Sequence, residues 1–135
     1  MEDRKPARLR ELNIAVKDDN DLVYIRQRAK GYANKCLFDS VNQTRIVTAV
    51  SEIIRNVVVF AESGKIKLKQ IPGGIEITVT DKGPGIKDIQ LALKDGFSTA
   101  RSLGIGLPGA RRLMDYFDIK SRPGKGTRVV MRKFR

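Results

Sequence analysis

A chain of 135 residues with 41% hydrophobic content is long enough for one domain with its own core, and no apolar run nears the ~20 residues of a membrane span. It carries 27 Lys and Arg against 15 Asp and Glu, for a net charge of +12, with one cysteine and no histidine. These counts exclude an internal disulfide framework, histidine-based triads, a histidine phosphoacceptor and most zinc sites, so acid–base chemistry falls to carboxylates, Lys or Tyr.

The N-terminus, "MEDRKPARLRELN", is charged and shows no secretory signal. Residues 12–16, "LNIAV", read as a short strand. Asn20 or Asp21 then caps a helix running to about residue 37, with Leu22, Ile25, Ala29, Tyr32 and Ala33 on its apolar face. "FDSVNQ" breaks that pattern, and a second helix is expected over residues 42–61. Its stripe is Ile46, Val50, Ile53, Val57 and Phe60, flanked by Ala49, Ile54 and Val58, which makes it largely buried; Gly64 ends it.

The period then changes to two. Residues 65–71 alternate as a half-buried strand, "PGG" turns the chain, and Ile75, Ile77 and Val79 continue the alternation on a second strand. "DKGPG" is a loop, residues 87–94 a short helix, and "DGFSTARSLGIG" a glycine-punctuated loop. Pro108 opens a helix to about residue 117, because proline is tolerated in a first helical turn. Residues 118–122 and 127–133 read as strands joined by "PGKG". The whole is expected to be one domain, an α+β two-layer sandwich with helices on one face of a mixed, mostly antiparallel sheet.

The charge admits three partners: nucleic acid, an anionic small molecule or an acidic protein surface. Residues 111–135 hold nine basic and two acidic residues, and their plain reading is a solvated basic face. Aromatics are only 6% and rarely interleave with the cations, which disfavours a nucleic-acid face. The single thiol, Cys36, fits a reducing cytosol.

Three clusters carry chemistry. In "SEIIRN", Glu52 and Asn56 lie one turn apart on one helix face, polar residues in an otherwise apolar helix. Burying a carboxylate and an amide costs several kcal/mol, on the order of the transfer energies of such groups, unless each finds a partner. An amide oxygen suits Mg²⁺, and a neighbouring carboxylate can take a proton from a hydroxyl. The plain alternative is a solvated stripe or a surface pair of Glu52 with Arg55. In "DKGPGI", Asp81 stands where a strand ends, able to accept a hydrogen bond from an exocyclic amino group, and Gly83 and Gly85 let a flat ring approach the backbone. The alternative there is an ordinary Asp-x-Gly turn. "GIGLPG" matches G-x-G-x-x-G, yet no strand directly precedes it and no acid follows Asp118, so the dinucleotide context fails. What remains is a helix N-terminus whose free N–H groups suit an anion. Together the clusters supply the parts of an ATP site, and no G-x-x-x-x-G-K-[ST] motif is present.

In this order the motifs resemble the GHKL ATPase superfamily of Bergerat fold. "SEIIRN" is similar to its N box, "DKGPG" to its first glycine box, "GIGLPG" to its second, and "GKGT" at 124–127 to its closing motif. "EIIRN", "DGFSTA" and "GIGLPGARRLMDYFDI" most resemble the RsbT-type serine/threonine switch kinases of the bacterial general stress response, related to the anti-sigma-factor kinases. The resemblance implies ATP and Mg²⁺, with Asn56 as metal ligand and Glu52 as base for the incoming hydroxyl. It implies that Asp81 contacts the adenine amino group beside Gly83 and Gly85, with Thr127 near the ring. Gly104, Ile105, Gly106, Leu107 and Gly109 would hold the phosphates under a lid covering 96–107, with Arg55 and Arg101 as further contacts. It implies a cytoplasmic serine/threonine protein kinase acting on a STAS-domain protein of a partner-switching module, within a stressosome, and docking to a PP2C-type phosphatase. It implies no membrane or nucleic-acid partner. A nucleotide-dependent switch that only docks is the alternative.

Overall fold

The computed structural model describes residues 6–61, 63–85 and 106–135. Its elements run β1 (Leu12–Val16), α1 (Asp19–Lys35), α2 (Ser40–Phe60), β2 (Gly64–Ile71), β3 (Gly74–Asp81), α3 (Gly106–Leu113), β4 (Tyr116–Arg122) and β5 (Gly126–Phe134). The strands form one sheet in the order β1-β2-β3-β5-β4. The sheet, expected to be mostly antiparallel, is antiparallel at each of its four pairings.

The helix starts lie upstream of their expected positions, and the cause is capping chemistry. Asp18, rather than Asn20 or Asp21, caps α1: its carboxylate accepts from the N–H groups of Asn20 and Asp21, and the Asp21 side chain answers to the Asp18 N–H. Asp39 caps α2 through the Asn42 N–H at 2.8 Å, so "FDSVNQ" contains the helix start. Helix α1 stops at Lys35 because Leu37 turns left-handed (φ 67°), letting Phe38 N–H reach the Ala33 carbonyl and Leu37 N–H reach that of Asn34. Gly64 opens β2 instead of ending α2.

One face of the sheet builds the core. Ile66 and Leu68 of β2, Ile75, Ile77 and Val79 of β3, and Val129 and Met131 of β5 point toward α2, which answers with Val50, Ile53, Ile54 and Val57. Burying each such side chain stabilises the fold by roughly 1.5–3 kcal/mol. Among the α1 positions expected inside, Ile25, Ala29, Tyr32 and Ala33 are buried and Leu22 is half-buried. Val58 is half-buried and Phe60 exposed, so the α2 stripe leaves the core at its C-terminal turn. Among the described residues no helix is long and apolar enough to cross a membrane.

Candidate functional site

Helix α2 lies across the sheet, with the start of α3 against its middle at Glu52 and the end of β3 near its C-cap. From Glu52 to the C-cap Ala61 it spans about 14 Å of helix. Each end carries one of the sequence clusters.

At the first end, Glu52 is only 5% exposed. Both carboxylate oxygens are engaged: Oε1 accepts from Arg55 Nη1 at 2.7 Å, and Oε2 accepts from the Gly106 backbone N–H at 3.1 Å. The second bond sets a negative charge at the N-terminus of α3, where the helix dipole favours it. The surface-pair alternative is therefore half right. Arg55 is the partner, with 31% of its side chain exposed, but the carboxylate is inside. Asn56, half-buried, makes no hydrogen bond to another described residue.

Helix α3 begins at Gly106 in the left-handed region (φ 66°) and ends at Leu113, four residues short of its expected end. Pro108 stands in the first turn as expected, though two residues inside the helix rather than opening it, and Leu107 and Gly109 are buried beside it. The chain leaves the helix there because Asp115 N–H bonds the Arg132 carbonyl, which commits Tyr116 to β4.

At the second end the wiring is backbone. Asp81 Oδ1 accepts from Gly83 N–H at 2.9 Å and from Thr127 N–H at 3.2 Å. A strand-end Asp-x-Gly turn is thus present, and it is stitched to the facing strand as well. Gly85 (φ 79°) carries the loop so close to β4 that a Cβ would fall 2.1 Å from the Arg122 carbonyl oxygen. Pro84 accepts from Gly124 N–H at 2.8 Å, tying the loop to the β4–β5 turn. Gly83 packs against Ala61 at the end of α2.

Two contributors went unread in the sequence. Gly126 (φ 98°) passes within 2.1 Å, measured from an added Cβ, of the Asp81 carbonyl oxygen. Ser121 donates to the Gly126 carbonyl at 3.0 Å, and its hydroxyl lies 2.7 Å from that of Thr127. Pairing the hairpin around "PGKG" brings Ser121 opposite Thr127, and that register was the available signal. The structure thus unites Glu52, Arg55 and Gly106 at one end, and Asp81, Gly83, Gly85 and Thr127 at the other, with Asn56 on the helix between them. Arg101, Gly104, Ile105, the 87–94 helix and most of the 96–107 lid lie outside the described residues. Among the described residues no three acids or thiols cluster as a metal cage.

Residues 41–135 match the family model described as histidine kinase-, DNA gyrase B-, and HSP90-like ATPase. The serine/threonine-protein kinase RsbT of Bacillus subtilis is 41% identical over 120 residues, covering 86% of this chain and 90% of that one. An anti-sigma F factor of Caldanaerobacter subterraneus is 36% identical over 97 residues, covering 66% of this chain and 68% of the other. Among solved structures, the RsbU and RsbW domains of a Mycobacterium tuberculosis protein superimpose with a TM-score of 0.69 at 18% identity, over 93% of this chain and 32% of theirs. That likeness is one of fold.

Proposed function

The chain belongs to the histidine kinase-, DNA gyrase B- and HSP90-like ATPase family, and from that premise we propose that it is an ATP- and Mg²⁺-dependent serine/threonine protein kinase acting on a STAS-domain protein of a partner-switching module. A PP2C-type phosphatase as a second docking partner and a cytoplasmic stressosome as the setting belong to the same reading. The buried, free thiol of Cys36 agrees with a reducing compartment.

The observation that carries the reading is a buried carboxylate at a helix N-terminus, one turn from an amide with no described hydrogen-bond partner. Asn56 fits Mg²⁺: its oxygen is a hard donor, and with no acidic cage among the described residues the remaining ligands would be phosphate oxygens and water. Bound there, the ion would neutralise charge developing on the transferred phosphoryl group. Glu52 takes the proton of the attacking hydroxyl. Arg55 holds Glu52 in place until then and keeps its charge compensated. Asp81, held by two backbone N–H groups through Oδ1, keeps Oδ2 to accept from the adenine amino group. Thr127 and the loop glycines border the ring. Gly104, Gly106 and Gly109 and the α3 N-terminus receive the phosphates, with Ile105, Leu107 and Arg101 beside them.

One observation favours a second reading, a switch that binds nucleotide and docks without transfer. Both oxygens of Glu52 are engaged, as they would be in a purely structural carboxylate. Label transfer from γ-labelled ATP to a purified STAS-domain protein separates the two. We expect transfer by the native chain, a fall of about 10²–10⁴-fold in Glu52→Gln, and nucleotide affinity within a few-fold of native. Equal transfer by native and variant chains would sink the base assignment, and nucleotide binding without any transfer would leave the switch.

A further inference from the structure

The second face of the sheet points away from the helices, and its charge is unevenly placed. Strand register sets Lys65 of β2, Thr80 of β3, Arg128 of β5 and Lys120 of β4 in one row across the sheet. The three cations are exposed, and none makes an ion pair among the described residues. Arg128 and Lys120 are direct cross-strand partners about 5 Å apart, an arrangement that destabilises a sheet. Folding gives no reason for it. Beside this row a shallow concavity of about 330 Å³ opens among Thr80, Lys120, Arg122, Lys125 and Arg128, and it reaches Asp81, Ser121 and Thr127 of the candidate nucleotide site. Farther down the same face Arg132 is paired: Glu76 accepts from Arg132 Nε at 2.8 Å, and the Arg132 guanidinium lies 4.5 Å from the centre of the Tyr116 ring.

We propose that this row of cations forms a docking face for an acidic protein surface, on the side of the sheet away from the helices. The cations are preplaced with no ion-pair partner among the described residues, so a carboxylate-rich patch gains their attraction without first breaking such a pair. The face argues against other occupants. A second copy would bring like charge against like. A nucleic acid would lay its uniform negative charge across Glu76 and Asp118, and of the two aromatic rings that register places on this face among the described residues, Phe134 lies at the far end of β5 from the row and Tyr116 is already covered by Arg132. The inference rests on sheet register and charge and does not depend on phosphoryl transfer.

The test uses the full chain and fluorescein-labelled poly-L-glutamate at low salt, followed by anisotropy, with a labelled DNA duplex as comparator. The native chain is expected to bind poly-glutamate more tightly than duplex. The triple variant Lys65→Glu, Lys120→Glu, Arg128→Glu should weaken that binding at least tenfold. The neutral triple Lys65→Ala, Lys120→Ala, Arg128→Ala should weaken it less, and it guards against misfolding of the acidic one. The control Arg26→Glu, Arg28→Glu, Lys30→Glu carries the same charge change on α1 and should bind nearly as the native chain does. Equal losses in the two acidic triples would reduce the effect to net charge and overturn the proposal. So would tighter binding of duplex, no binding of poly-glutamate by the native chain, or self-association in sedimentation that the face triple abolishes.

Discussion

Glu52 and Asp81, at the two ends of the stretch of α2 from Glu52 to Ala61, are held by opposite means. Glu52 is fixed by contacts to a side chain one turn away and to a backbone N–H 54 positions downstream. Asp81 is fixed by backbone N–H groups that the β3–β5 register and the adjoining turn deliver to it. The Asp81 end is therefore as rigid as the sheet, and its weak points are glycines that must not grow a side chain. The Glu52 end is as rigid as the packing of α3 on α2, and its weak points are side chains that can be exchanged one at a time. Side chains added to the glycines of the Asp81 end should cost the fold, and exchanges of side chain at the Glu52 end should cost it less.

Gly126→Ala is expected to give the largest stability change. Its Cβ would meet the Asp81 carbonyl at 2.1 Å in a left-handed backbone, and we expect a loss of about 3 kcal/mol in chemical denaturation. A loss below about 1 kcal/mol would mean that the strand ends can part, and the contrast would fail. Asp81→Asn sharpens it. The amide oxygen can keep both backbone hydrogen bonds, while the other position changes from acceptor to donor. Nucleotide affinity should fall about 10–100-fold in a titration, with little change in unfolding midpoint. If affinity holds, adenine is not read there. Arg55→Ala tests the Glu52 end. It leaves a buried carboxylate with one backbone donor, and since the guanidinium is 31% exposed, the cost is discounted to about 1 kcal/mol. A loss as large as that of Gly126→Ala would show that the two ends are equally structural.

The smallest effect belongs to neither end. Burial pushes the Cys36 thiol up from 9.0 to about 11, opposed in part by Arg135. A raised folded-state value means that this stability is whole below pH 9 and lost as pH rises through about 11. Burial also raises the Tyr32 hydroxyl. Cys36→Ala should therefore flatten, without abolishing, the decline in unfolding free energy between pH 9 and 11. An unchanged slope would assign the whole decline to other groups.

Much of this was legible in the sequence because it is periodic. The alternation of Ile75, Ile77 and Val79 and the helical stripe of Ile46, Val50, Ile53 and Val57 each declare an element and its buried face. Capping was legible in principle, but Asp18 and Asp39 precede their helices by one residue, where the apolar pattern gives no signal. Long-range pairing was not legible. Nothing local to Glu52 names Gly106 as its partner, and nothing in "DKGPG" says that the Thr127 N–H will reach Asp81. The basic sheet face escaped for the same reason. Lys65, Lys120 and Arg128 are scattered in the chain, and only register makes them neighbours. The nine cations of residues 111–135 were visible as a total, with no geometry.

The bond between Gly106 N–H and Glu52 has a consequence for timing. That N–H is one of the first donors of α3, the group any anion arriving at the helix start would compete for. One hydrogen cannot satisfy two anions at full strength. An occupant carrying phosphate oxygens would loosen Oε2 at the moment it took its seat, and an idle molecule would keep its carboxylate latched. On the proposed reading of Glu52 as the base, readiness to accept a proton would then be a result of loading.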